Sequence, residues 1–156
     1  MSIMVREATD DPEIRLLAYD IATTQQQQAG QMAGWLNVWG LPQAAVEPPM
    51  TWMTRPTLDG ESHDAHSVGN PTHKAGDPMP GVASPEQMAT FETLTGVEAE
   101  KYYVELMIAH HKGAIEMARA VLDRSENRVV VELAENIIAS QQSEVDYLNS
   151  LLAARE

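Results

Sequence analysis

An internal repeat restricts this chain more than any other feature. Residues 17–36 read LAYDIATTQQQQAGQMAGWL and residues 133–152 read LAENIIASQQSEVDYLNSLL. At a fixed offset of 133 − 17 = 116 positions, Leu17 meets Leu133, Ala18 meets Ala134, Ile21 meets Ile137 and Leu36 meets Leu152. Gln25-Gln26 meets Gln141-Gln142, and Met32 and Trp35 meet Leu148 and Leu151. Chance similarity between two amphipathic helices would reproduce the apolar spacing, but nothing in amphipathicity demands paired glutamines in one register. Both copies place apolar residues three and four apart, the period of a helix lying on a core. The repeat therefore predicts an all-α fold, with two related helical hairpins stacked as a four-helix bundle.

Local signals mark where the helices begin and end. Asp11-Pro12-Glu13 combines a capping carboxylate, a proline suited to the first helical position and an acid for the positive end of the dipole. The helical period then runs from Ile14 to Trp39, and Gly40-Leu41-Pro42 ends it. Ser84-Pro85-Glu86-Gln87 is a capping box that opens a short helix to about Leu94, interrupted at Gly96. A long helix is expected from about Glu98 to Asp123, a tight connection over Arg124–Asn127, and a last helix to about Ala153. Residues 41–83 show no period and contain seven of the prolines. They form a long connection whose Met50, Trp52 and Met53 should fold back onto the helices. One domain results: 1–40 from the first hairpin, 41–83 as connection, and 84–156 as a short helix plus a complete hairpin.

The same register leaves a gap. Met1 falls opposite Met117, so the counterpart of His110-His111 would precede residue 1. The first helix of the bundle is thus expected to be largely missing. The apolar faces left bare would be covered by another chain, which predicts a homo-oligomer, most simply a dimer.

Composition narrows the function classes. A length of 156 residues suits a single core. Ten Lys+Arg against 23 Asp+Glu give a net charge of −13, which excludes nucleic acids and anionic membrane surfaces as general partners. No run approaches the roughly 20 apolar residues of a membrane span. The absence of cysteine removes disulfides, thiolate metal sites and thiol nucleophiles. Met1–Glu7 does not read as a signal peptide, yet a missing first helix would leave room for a natural full-length protein that is exported.

Candidate chemistry lies on the long helix. Lys101, Glu105, Lys112, Glu116, Arg119 and Asp123 share a narrow polar strip. His110, His111, Met107 and Met117 fall together within an arc of roughly 120° on the opposite, buried side. Gly113 and Ala114 are small enough for a neighbouring helix to approach. An antiparallel neighbour brings Gln141 to the level of His110. Two imidazoles and two thioethers form a soft ligand set suited to Cu(I) or Ag(I). In the competing reading Gln141 satisfies the His110 ring, Gln25 joins the same structural hydrogen-bond layer, and the methionines are core filler. His63, Asp64, His66 and His73 form either an accessory metal site or incidental loop polarity. Met50, Met53 and Met79 form either a thioether cluster or pins for the connection. No glutamate stands three residues before any histidine, so ferritin-type di-iron chemistry is discarded. No nucleophile elbow and no phosphate-binding glycine loop occur, so no catalytic or organic-cofactor residues are assigned.

The stretch Tyr103-Val104-Glu105-Leu106-Met107-Ile108-Ala109-His110-His111-Lys112-Gly113-Ala114-Ile115-Glu116-Met117-Ala118 resembles the signature of a bacterial family known as domain of unknown function 305. Leu133-Ala134, Ile137 to Gln141 and Glu144 are similar to its second signature, and Met79-Pro80-Gly81 to its linker. The resemblance implies a ferritin-like four-helix bundle, common export, and association of some members with copper or silver. It implies His110, His111, Met107 and Met117 as ligands. Two departures stand out: the His-His helix occurs once rather than twice, and Val82 replaces an expected methionine. The expected function is non-catalytic copper or silver binding or buffering in the bacterial cell envelope. The alternative is an all-α scaffold in which the histidine pair is structural.

Overall fold

A computed structural model of the chain describes residues 1–60 and 73–155. It is all-α: α1 (Ser2–Ala8), α2 (Pro12–Val38), α3 (Pro85–Phe91), α4 (Gly96–Leu122) and α5 (Arg128–Ala153), with a 3-10 turn at Thr51–Thr54. The caps act as their residue types require. One Asp11 carboxylate oxygen accepts the backbone N–H groups of Glu13 and Ile14 at 2.8 and 3.0 Å. Ser84 and Gln87 close a reciprocal capping box around Pro85. Gly96, expected as a break before the long helix, is instead its first residue. Its φ of 56° turns the chain from α3 into α4.

The chain divides into two compact units. The first comprises Met1–Ala45, Ala83–Leu106 and Leu151–Glu156. Here α1 packs on α2, and Val5, Ile14, Ala18, Ile21, Phe91, Ala99, Tyr103, Val104 and Leu151 are buried. Phe91 stacks on Tyr103 with ring centroids 6.4 Å apart. Glu100, a buried acid, accepts from the Thr9 hydroxyl and from Arg155 Nε at 3.0 Å. Arg155 also reaches the Asp11 carboxylate at 3.1 Å, so the capping residue and the buried acid share one guanidinium.

Beyond Ile21, α2 buries no residue. Met32, Val38 and Trp39 are exposed, and Trp35 and Trp39 stack on each other along the helix. Residues 21–46 contain no charged side chain. Leu148 and Leu151, the repeat counterparts of Met32 and Trp35, are buried. The two copies of the repeat thus carry the same pattern in different surroundings.

The second unit comprises Val46–Val82 and Met107–Ser150. The latter half of α4 and α5 form a helical hairpin through the short connection at 123–127. Met107, Ile108, Ile115, Ala118, Ala120, Ala134, Val145 and Leu148 are its buried apolar residues. Parts of the long connection are tied to α4 and to the two residues that follow it. Arg124 donates to the carbonyls of Met53 and Arg55 at 2.9 and 3.0 Å, and the Leu58 N–H donates to Asp123 at 2.8 Å. Met50 is buried in a left-handed conformation, φ 63°.

Candidate metal centre

The latter half of α4 carries the histidine pair. His111 is wholly buried, 0% exposed. Its Nδ1–H donates to the Met107 carbonyl one turn back, at 2.9 Å. A carbonyl only accepts, so this bond assigns the tautomer. Nε2 is thereby aimed at α5, where Glu144 Oε2 stands 2.5 Å away. The two atoms are within hydrogen-bond distance. Glu144 itself is a third exposed.

His110 is half-buried, with its ring centroid 6.1 Å from that of His111 and the planes at 71°. The Gly81 main chain lies against Ala109 and His110, and its backbone favours a proton on the His110 ring. The net effect is the reverse: burial, and then the neighbouring His111, hold the His110 pKa below its ordinary value.

Met107 is buried and Met117 half-buried. The contribution of Met107 to His111 is its carbonyl oxygen. Gln141, expected as the partner of His110, does not take that part. It is buried, and its Oε1 has no hydrogen-bond partner among the described residues. An orphaned buried amide oxygen costs roughly 1–3 kcal/mol. Gln141 and Glu144 lie one turn apart on the same face of α5, and a helical period cannot say which of them meets the ring. Glu144 was therefore missed as a ring partner, although it sits in the sequence signature beside Gln141. Gly81 was missed because the connection has no period from which to place it.

Among the described residues, no group of three or more His, Cys, Asp or Glu side chains is arranged to hold a metal ion. The donor types that suit a soft ion are the imidazoles of His110 and His111 and the thioethers that Met107 and Met117 bring on the same helix; the unsatisfied Gln141 oxygen is a hard donor. Elsewhere in the unit, His73 Nε2 meets Glu116 Oε1 at 2.5 Å. His63, Asp64 and His66 lie outside the described residues. Met50 and Met53 serve the connection by burial and by a backbone carbonyl, while Met79 is exposed. Gly113 does not receive a neighbouring helix. A Cβ there would strike the Pro80 carbonyl, so the group at close range is the connection itself.

Residues 1–152 match the family described as a domain of unknown function, DUF305. A DUF305 crystal structure from Streptomyces coelicolor, provisionally assigned as secreted, is 41% identical with a TM-score of 0.81, over 99% of this chain and 82% of that one. A DUF305 fragment from Deinococcus radiodurans is 27% identical with a TM-score of 0.70, over 98% and 83%. The uncharacterized protein L153 of Acanthamoeba polyphaga mimivirus is 39% identical over 57 residues, which is 36% of this chain and 38% of that protein. This chain therefore spans well under two thirds of that curated relative.

Proposed function

The chain belongs to the DUF305 family, and from that premise we propose that it is a non-catalytic metal-binding protein of the bacterial cell envelope, taking Cu(I) or Ag(I). One observation carries the reading. His111 has Nδ1 tied to a backbone carbonyl and Nε2 aimed across the helix pair, the arrangement that orients imidazole ligands. His110 and His111 supply nitrogen donors, and Met107 and Met117 supply thioethers. Neutral soft donors suit a monovalent soft cation in a buried site better than a hard divalent one. Binding at His111 would displace Glu144 from Nε2. Titrating Cu(I) under reducing conditions, and Ag(I) separately, tests the reading. The wild type should bind and His110→Ala/His111→Ala should not; equal binding by both removes the metal.

The scaffold reading has an observation of its own: both nitrogens of His111 already have protein partners. On that reading the metal titration is flat, and His111→Ala lowers stability alone.

Export is part of the proposal. It is supported by the secreted assignment of the Streptomyces coelicolor neighbour. Among the described residues, no helix is long and apolar enough to cross a membrane. A homodimer is proposed as well, formed on the exposed uncharged part of α2, where two copies of a −13 chain meet without like-charge repulsion.

A further inference from the structure

We propose that the turn Met79–Val82 is a positioning clamp for His110, seated on α4 by a reciprocal glycine contact, which ties down one nitrogen of that ring and leaves the other as a donor. The inference rests on the metal reading for its purpose, but its geometry stands apart from it. The turn closes through the Val82 N–H and the Met79 carbonyl at 3.2 Å. Pro80 and then Gly81, at φ 71°, are the residues a type II turn prefers at its two central positions. The turn lies directly against the helix backbone. A Cβ on Gly81 would overlap the Ala109 carbonyl, and a Cβ on Gly113 would overlap the Pro80 carbonyl. Neither obstacle is a flexible side-chain tip; each is main chain. Both glycines are thus needed for a single contact, and His110 lies within the stretch of α4 that it covers. There a Cβ on Gly81 would also stand 2.9 Å from the His110 Cα, and the Gly81 backbone favours a proton on the His110 ring. His73, eight residues before Gly81, is bonded to Glu116, three residues beyond Gly113, so the connection is held to α4 a second time.

The outcome is one device used twice. His111 has its ring N–H on the Met107 carbonyl, from its own helix. The clamp would offer the His110 ring N–H a carbonyl in the same way, that of Gly81. His110 then has its other nitrogen to offer, whereas Nε2 of His111 becomes a donor only when Glu144 is displaced. Gly81 and Gly113 are positioning residues in this scheme, since neither would touch the metal.

The test uses the full chain, metal-free, with nitrogen-15-labelled histidine, read by NMR for the tautomer of each ring. The wild type should show His110 as one tautomer. Gly113→Ala should give mixed tautomers at His110 while His111 keeps its Nδ1–H form, which reports an intact helix pair. Ag(I) affinity should then fall about 10- to 100-fold, the usual cost of losing a group that orients a ligand. Mixed tautomers at wild-type His110 overturn the clamp. So does an unchanged His110 in Gly113→Ala. If Gly113→Ala also loses the His111 signal, Pro80→Ala decides, because it adds no atom to the contact: a second His110 tautomer supports the clamp and a single one overturns it. A wild type that binds no Ag(I) refutes the metal reading and leaves the tautomer result to judge the clamp.

Discussion

His111 and Asp11 show how much a single side chain carries here. His111→Ala opens a cavity and leaves Glu144 without its partner, so it should cost about 2–4 kcal/mol. Glu144→Gln keeps a group able to donate to Nε2 and should cost about 1 kcal/mol or less. Urea unfolding of the two variants measures both, and equal losses would mean that the bond between these side chains has little weight. Asp11 predicts a pH effect. Its pKa is held down first by the Ile14 N–H; burial opposes this, and the Glu13 N–H and Arg155 add to the lowering. A carboxyl lowered on folding stabilises the native state above its unfolded value of 3.8, and that contribution disappears as pH falls through the folded value. Asp11→Asn can still cap but carries no charge. The stability gap between wild type and Asp11→Asn should be constant well above pH 3.8 and close as pH falls below it. A gap that does not narrow would show that the charge plays no part.

At the scale of elements, helical glycines divide into two kinds. Nothing lies within 4 Å of a Cβ built on Gly30 or Gly34 of α2. Alanine there should stabilise the helix by roughly 0.5–1 kcal/mol per site, because only the backbone entropy of the unfolded chain changes. Gly113 in α4 should behave oppositely, since its missing Cβ is the space the Pro80 carbonyl occupies. Thermal melts of Gly30→Ala and Gly113→Ala should move in opposite directions. The sequence announces both as glycines inside a helical period and cannot separate them, because the deciding atom at Gly113 comes from a turn more than 30 residues earlier. Caps are the contrary case. The Asp11 cap and the Ser84–Gln87 box were readable because every atom involved lies within three residues.

For the whole molecule, the uncharged stretch 21–46 concerns association. Sedimentation equilibrium should find a dimer, and Trp39→Glu, which puts a charge on the exposed face, should return the chain to monomer. A wild-type monomer at all accessible concentrations would remove the dimer from the proposal. The histidine pair, its helix and the facing α5 were legible, because helical period and a short connection determine which faces meet. The particular partners were not. The helical period assigns Gln141 to His110, whereas Glu144 meets His111 and the Gly81 main chain lies against His110.

Period, caps and repeat by themselves determined that this chain is helical, where most helices begin and end, and that His110-His111 sits on a helix facing a glutamine-bearing neighbour. Those properties depend on residues a few positions apart, which the backbone's own geometry brings together. Tertiary structure alone decided that α5 offers Glu144 to the buried ring, that a glycine turn lies on α4, and that one copy of the repeat buries apolar residues as far as Leu151 while the other buries none beyond Ile21. These depend on register between elements distant in sequence, where a slip of one turn changes the partner and leaves every local preference satisfied.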